Sequence, residues 1–285
     1  MGTDIGDLMN GLATEFVVTR SVRDSAVLLD LLAGPDVGDP YWAPAPSGSF
    51  GDAALNGPGR CLRIAVSSDG IDGACADAVR RAQALCAEIG HDCVEAVPPV
   101  RAADIAEDFF VVWAAGVSSA ISSYAAASGR TPRPELFEEC TWYLYERGRA
   151  ISAARYLTVI TRLQQAARLM ARFHLAYDLS AVTAHVSPPL GDLVAGTPES
   201  VLDRALRFAH DTPLANLTGQ PAMSVPLHRD EQGIPVGAHF AAAVGDEACL
   251  LGLAGQLERT GAFLPARSTE PAALCTGLSG PRSRG

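Results

Sequence analysis

Along the chain the apolar positions keep changing period, and each change marks an element. In TRSVRDSAVLLDLLAG, Val22, Ala26, Leu29 and Leu32 or Ala33 recur at helical spacing behind a capping Thr19 or Ser21, and Gly34-Pro35 ends the run. The next stretch, PDVGDPYWAPAPSGSFGDAALNGPG, has no period. Its Pro, Gly, Ser and Asp predict a long surface loop over 35–60, pinned to the body by Tyr41 and Trp42. CLRIAVSS then reads as a short buried strand, CADAVRRAQALCAEIG as a helix with Ala78, Ala82, Leu85 and Ile89 inward, and HDCVEAVPP as a second strand. A strand, helix and strand in succession build a sheet with helices packed on it.

Two long helical stripes follow. One places Ile105, Phe109, Val112 and Gly116 on a single face; the other aligns Tyr156, Ile160, Leu163, Ala167, Met170 and Phe173. Both are core-packing patterns rather than cofactor slots. YDLSAVTAHVSPP is apolar and β-branched, and its Pro-Pro predicts a strand leaving the sheet edge. PESVLDRALRFAHDT is a helix candidate leading into NLTGQPAMSVPL, GIPVGAHFAAA is strand-like, and DEACLLGLAGQLERTG is a helix with Asp246 and Glu247 in its first turn, where they complement the helix dipole. From about Pro265 to Gly285 there is no period and the tail is expected to be loose. No internal repeat occurs, and nothing forces a split into two domains, although the loop over 35–60 offers a hinge for the first helix.

Composition narrows the function classes. At 285 residues, 48% hydrophobic and 19% charged, the chain can bury a large core. No run approaches the roughly eighteen uncharged apolar residues of a membrane span, and the first twenty residues lack the pattern of a secretory signal, so a cytoplasmic protein with no membrane partner is expected. A net charge of −10 argues against a phosphate backbone as partner, so no nucleic acid is expected. Seven cysteines, none in a C-x-x-C pair, read as reduced buried thiols, with a metal site the minor alternative.

All 22 basic residues are arginine. Arginine stays protonated, so the chain has no side-chain amine that desolvation could turn into a general base.

The search for chemistry ends without a complete constellation. His91, His174, His185, His210, His228 and His239 are scattered, with no i, i+4 pair for a metal, so no metal or cofactor is expected. His174 falls near a helix end, where an imidazolium would favour the dipole. His210-Asp211 offers a base beside a carboxylate, but adjacent residues rarely face each other. A nucleophile elbow needs G-x-S-x-G between strand and helix, and neither GSFG (48–51) nor GVSSA (116–120) matches; GxGxxG and the P-loop are absent.

Three stretches together carry a resemblance: TRSVRDSAVLLDLLAGPDVGDP; ERGRAISAARYL with YDLSAVTAHVSPPLG; and NLTGQPAMSVPLHRDEQGIPVGAHFAAAVGDEACLLGLAGQLE. In this order and spacing, from about Gly6 to Glu258, the chain resembles the amidase signature family of Ser-Ser-Lys amide hydrolases. The resemblance implies an α/β fold, a mixed sheet covered by helices. It also implies that residues 1–264 form the later portion of an amidase domain with an incomplete core. In the family, a lysine draws a proton through a cis-peptide serine from a nucleophilic serine, and all three lie upstream of the helix that TRSVRDSAVLLD resembles. None precedes Thr19 here, so no catalytic, cofactor-binding or metal residue is assigned and the substrate-binding residues stay open.

Two departures are smaller. Val182, Thr183, Ala184 and His185 stand where relatives tend to have Leu-Thr-Pro-Thr, and GAFLPARS replaces a Pro-Trp ending.

The leading expectation is therefore an amide hydrolase, acting on a small-molecule amide if completed by the missing half, whose catalytic residues are absent from this chain through truncation, a misplaced start or a split gene. On its own the chain is expected to be inactive and to self-associate through an exposed core. The alternatives are a non-catalytic remnant that binds or regulates a partner, and an independent hydrolase that pairs His210 or another histidine with a serine.

Overall fold

The computed structural model describes residues 8–68, 71, 73–183, 195–209 and 212–263. Its centre is a mixed sheet of five strands in the order β2-β1-β3-β5-β4, with β1 Arg63–Val66, β2 Asp92–Glu95, β3 Leu179–Thr183, β4 Ala222–Arg229 and β5 Pro235–Ala242. β1 pairs in parallel with β2 and with β3; β5 runs antiparallel to both β3 and β4. The expected strand–helix–strand unit is β1, the helix Gly73–Glu88, called α3 below, and β2.

β3 differs from expectation. It is the middle strand, not an edge, because Leu179, Ser180 and Ala181 are buried on both faces, the pattern of a strand flanked by neighbours and covered above and below. Pro188 and Pro189 lie outside the described residues.

Strand alternation gives the sheet two unlike faces. One carries Ile64, Val66, Leu179, Ala181, Phe240 and Ala242, all part of one apolar core. Covering it are α3 and the last described helix, Glu247–Arg259. Behind these sit α1 (Val22–Leu32) and α2 (Phe50–Asn56). The opposite face presents Ala65, Ser67, Ser180, His239 and Ala241, which are small or polar.

The expected loop over 35–60 is interrupted by α2. Seven residues are too few to show a period, and Gly51 weakens the local propensity. The helix is held instead by caps: Ser49 Oγ accepts from the Asp52 N–H at 2.9 Å, and the Asp30 carboxylate on α1 accepts from the N–H groups of Phe50 (2.7 Å) and Gly51 (2.9 Å). Tyr41 and Trp42, expected to pin the loop, are 74% and 68% exposed. At the start of α1 the structure selects Ser21 as cap, with its Oγ 3.2 Å from the Asp24 N–H, and Glu258 reaches across to accept from the Val22 N–H at 3.0 Å.

A second helical layer contains α4 (Ala102–Ser128), α5 (Glu139–Arg149), α6 (Ala153–Phe173), α7 (Pro198–Ala209) and α8 (Thr212–Thr218); Glu247–Arg259 is α9. The buried stripe of α6 is Val159, Leu163, Ala166 and Met170, so its centre is turned slightly from the stripe the spacing predicts. α5 is an element for which the apolar spacing gave no expectation. Its Gly148 lies against α4, where a Cβ would stand 2.0 Å from the Ala114 carbonyl oxygen.

α4 corrects one sequence expectation: over 27 residues it is long and apolar enough, by composition, to cross a membrane, because Phe109–Ser128 carries no charge. Ser118, Ser119, Ser122 and Ser123 had hidden this by interrupting the apolar run. Its first half nevertheless packs against α6 and is tied to it by the buried Asp108 carboxylate, which the Arg162 guanidinium grips with two hydrogen bonds.

Candidate functional site

The small, polar face of the sheet does not meet the second helical layer directly. Between them lies a cavity of about 680 Å³, bounded by the sheet on one side and by α4, α6, α7 and α8 on the other. It opens where the parallel ladder of β1 and β3 gives way to antiparallel β5, and Ser67 and Val97, just past the carboxyl ends of β1 and β2, form part of its wall. Open α/β sheets bind ligands at such carboxyl-end crevices.

Its surface is mainly apolar, with Val100, Ala106, Met170, Leu206 and Leu214 among the walls, and only a few polar groups converge on it. Ser67 and Ser180 are buried within the sheet, and His239 projects from β5. Gln220 is held between two partners: its Nε2 donates to the Ala242 carbonyl at 2.9 Å and its Oε1 accepts from Thr218 Oγ1 at 2.9 Å. Around the mouth stand Arg101, Asp203 and Arg207, with Asp203 and Arg207 joined one helical turn apart at 2.8 Å. This arrangement can enclose a small, largely apolar molecule and orient it through neutral donors and acceptors. No lysine is present to act as a base. Among the described residues no group of three or more His, Cys, Asp or Glu could hold a metal.

The histidines mostly have structural work. Nδ1 of His91 accepts from the Leu62 N–H at 3.2 Å, which fixes the tautomer, and its Nε2 donates to Gln256 Oε1 at 2.9 Å, joining β1 to α9. His174 does cap α6, with Nδ1 3.2 Å from the Tyr177 carbonyl oxygen, but burial holds its pKa below the ordinary value. Burial therefore disfavours the dipole-stabilising imidazolium that the sequence suggests. His185, His210 and Asp211 lie outside the described residues.

His239 was not distinguished from the other histidines by spacing. The usable signal was the alternation of β5, which sends Phe240 into the core and His239 to the other face. The serines of the two near-miss elbows are also structural: Ser49 caps α2, and Ser118 is buried where α4 meets Gly148.

At the opposite, amino end of the strands, Asp178 accepts from Arg60 Nη2 and from the Arg63 N–H, each at 2.7 Å. The Arg60 guanidinium holds the Asp178 carboxyl below the usual carboxylate range. The pair fastens the starts of β1 and β3 together, away from the cavity.

The six described cysteines are free thiols, two of them buried, Cys86 and Cys249, and Cys61 exposed. Burial pushes the Cys249 thiol up to about 12, and a hydrogen bond with Cys93, followed by burial, raises that of Cys86.

A mixed sheet sandwiched by helices, with a mainly apolar crevice at its carboxyl end, defines the α/β class of this protein. The amidase family profile matches residues 3–251, and the chain belongs to that family. It is 31% identical over 265 residues to a putative amidase of Synechocystis sp., covering 90% of this chain and 49% of that protein. It is 29% identical over 269 residues to the 6-aminohexanoate-cyclic-dimer hydrolase of Pseudomonas sp., covering 88% of this chain and 54% of the hydrolase. A solved structure of 6-aminohexanoate cyclic dimer hydrolase with substrate superimposes with a TM-score of 0.74 at 27% identity, over 86% of this chain and 54% of the other. The chain spans about half the length of the curated relatives it matches.

Proposed function

We propose that this chain is one portion of an amide hydrolase: it supplies the sheet and the substrate cavity, and a polypeptide outside these 285 residues supplies the lysine and serines of the Ser-Ser-Lys mechanism. One observation carries the reading, a lysine-free chain of the amidase family that keeps a cavity of about 680 Å³ at the carboxyl end of its sheet. In the mechanism the family resemblance implies, a neutral lysine starts the proton transfer, and arginine cannot replace it because it does not deprotonate.

The substrate is a carboxylic amide whose apolar part fits among Val100, Met170 and Leu214 and whose polar atoms meet Ser67, Ser180, Gln220 or His239. Relatives that include hydrolases of a cyclic amide support C–N bond cleavage as the reaction class.

The test is to assay release of free amine or ammonia from aliphatic, aromatic and cyclic amides by the chain alone and by the chain co-expressed with the part of the Synechocystis amidase it does not match. The expected result is no turnover alone and turnover by the pair, weakened when Ala241→Leu narrows the cavity. Turnover by the chain alone would refute the need for an external lysine. A pair that assembles but cleaves no amide would leave the binding or regulatory remnant as the better reading, one favoured only by the missing lysine.

A further inference from the structure

The two edges of the sheet are unequal. β2 is four residues long and begins and ends with Asp92 and Glu95, charges of the kind that discourage strand pairing. β4 is eight residues long, and from Gln220 to Leu227 it carries no charge. Among the described residues no strand pairs with its outer side.

The direction of its free groups follows from the ladder. The Ala242 N–H donates to the Pro221 carbonyl at 3.1 Å, and the register places Met223 opposite Phe240 and Val225 opposite Ala238. Antiparallel bonding alternates, so Met223 and Val225 bond to β5 while the N–H and C=O groups of Ala222 and Ser224 point away from it. Pro226 occupies the next outward position and has no N–H to offer, which ends the usable edge.

This edge forms one side of an apolar groove of about 830 Å³. Its other walls include the stretch Thr14–Val18, with Phe16 and Val17, and Leu250, Leu251 and Phe263, with the charged Glu15, Arg20 and Glu247 also among them. Phe16 is 53% exposed and Val18 wholly so, although both are apolar. Solvent-facing backbone donors beside bared apolar side chains are the two halves of a strand-docking site.

We infer that the groove and the outer edge of β4 receive a strand from the polypeptide that carries the remainder of the amidase fold. The inference rests on the functional reading above for the nature of that partner. The relatives point to it independently of chemistry: 86% of this chain superimposes on only 54% of a solved relative, so nearly half of that relative has no counterpart in this chain. The uncharged edge and its groove are the surface best suited to receive it. Position adds a further argument, because Ala215 and Gln220 line both the groove and the cavity. A partner strand on β4 therefore arrives beside the cavity, where a lysine and serines from the same polypeptide would be needed.

The test uses the affinity-tagged full chain co-expressed with the unmatched part of the Synechocystis amidase. The tagged chain is expected to retain that polypeptide in equal amount, and hydrogen exchange at the Ala222 and Ser224 amides should slow by at least about tenfold in the complex. Ser224→Pro, which removes an outward N–H without touching the β5 ladder, should cut retention by about tenfold or more. Phe16→Asp, an exposed position that tests the groove without altering β4, should do the same while leaving the melting temperature of the chain unchanged.

Retention that is indifferent to both variants, or absent altogether, overturns the inference. So does a homodimer of the chain alone that both variants dissolve, which would assign the edge to a second copy. The two readings fail differently. A retained partner without amide cleavage counts against the enzyme and leaves the docking site standing, whereas cleavage by a pair insensitive to Ser224→Pro and Phe16→Asp keeps the enzyme and removes the site.

Discussion

Gly255 on α9 tests whether the helices behind the sheet pack as closely as the structure shows. A Cβ built at this position would stand 1.9 Å from the Ala54 carbonyl oxygen and 2.9 Å from its carbon. Carbon–oxygen contacts settle near 3.3 Å, so Gly255→Ala requires α2 to retreat by more than about 1 Å. The obstacle is backbone, which cannot rotate aside as a side chain would. Retreat would strain three attachments of α2: the Arg259 Nη1 bond to the Ala54 carbonyl (3.0 Å) and the two bonds from Asp30 at the start of the helix. Overpacking typically costs about 1–3 kcal/mol and a weakened hydrogen bond about 1 kcal/mol, while replacing a mid-helix glycine returns about 1 kcal/mol of propensity. The balance is a loss of about 1–3 kcal/mol. For a chain of this size that corresponds to a drop of roughly 2–12 °C in melting temperature, read by circular dichroism at 222 nm. Gly48→Ala is the control, since it has open space around it and an ordinary backbone conformation, and should stay within about 0.5 kcal/mol of the parent. A Gly255→Ala protein that melts at or above the parent temperature would refute the close crossing of α2 and α9.

Two further outcomes follow from the buried histidines. His91→Phe leaves the Leu62 N–H and Gln256 Oε1 without their partners inside the protein, so urea unfolding should show a loss of about 2–4 kcal/mol; an unchanged midpoint would mean the ring carries no structural load. Burial lowers the pKa of His174, so below about pH 6.5 the unfolded chain takes up a proton that the folded chain refuses. Stability should therefore fall as the pH drops from about 6.5 towards the lowered folded value, with a smaller slope in His174→Gln, and equal slopes in the two proteins would exclude this ring as the cause. Asp178 acts lower on the scale: its paired carboxylate contributes above about pH 4, and that contribution is lost as acid protonates it.

What was legible in the sequence was whatever depends on a period. The α1 helix, the β1–α3–β2 unit, the long α4 and α6 helices, β5 and α9 all carry enough apolar repeats to be placed. What escaped depends on residues distant in sequence. α2 is capped by Asp30 from twenty residues away, and α5 exists because Gly148 lets it lie on Ala114 of α4. The cavity escaped for a related reason: Ser67, Ser180, Gln220 and His239 come from four separate elements, and each looks ordinary alone. β3 was placed at an edge because two prolines follow it, but its burial on both faces was decided by its neighbours. Family membership was the exception, since order and spacing of three stretches carried it without any of these contacts.

The two empty regions of the molecule are best explained together. Protein interiors are packed nearly as tightly as organic crystals, and a sheet face lined with Ala65, Ser67, Ser180 and Ala241 could have been filled by larger side chains at little cost to the strands. Its residues are instead small where the space lies and large on the other face, where Phe240 and Leu179 are fully buried. The β4 edge shows the same selectivity, with its charges withheld from the stretch that borders the groove while β2 bears acids. Gln220 stands at the junction, fixed by Ala242 and Thr218 and exposed to both spaces. A remnant that had ceased to enclose anything would have no reason to hold a polar side chain in that position with two hydrogen bonds. On the functional reading proposed above, the cavity is a binding chamber with one wall supplied by this chain, and a lysine-free wall leaves the proton-transfer chemistry to the other.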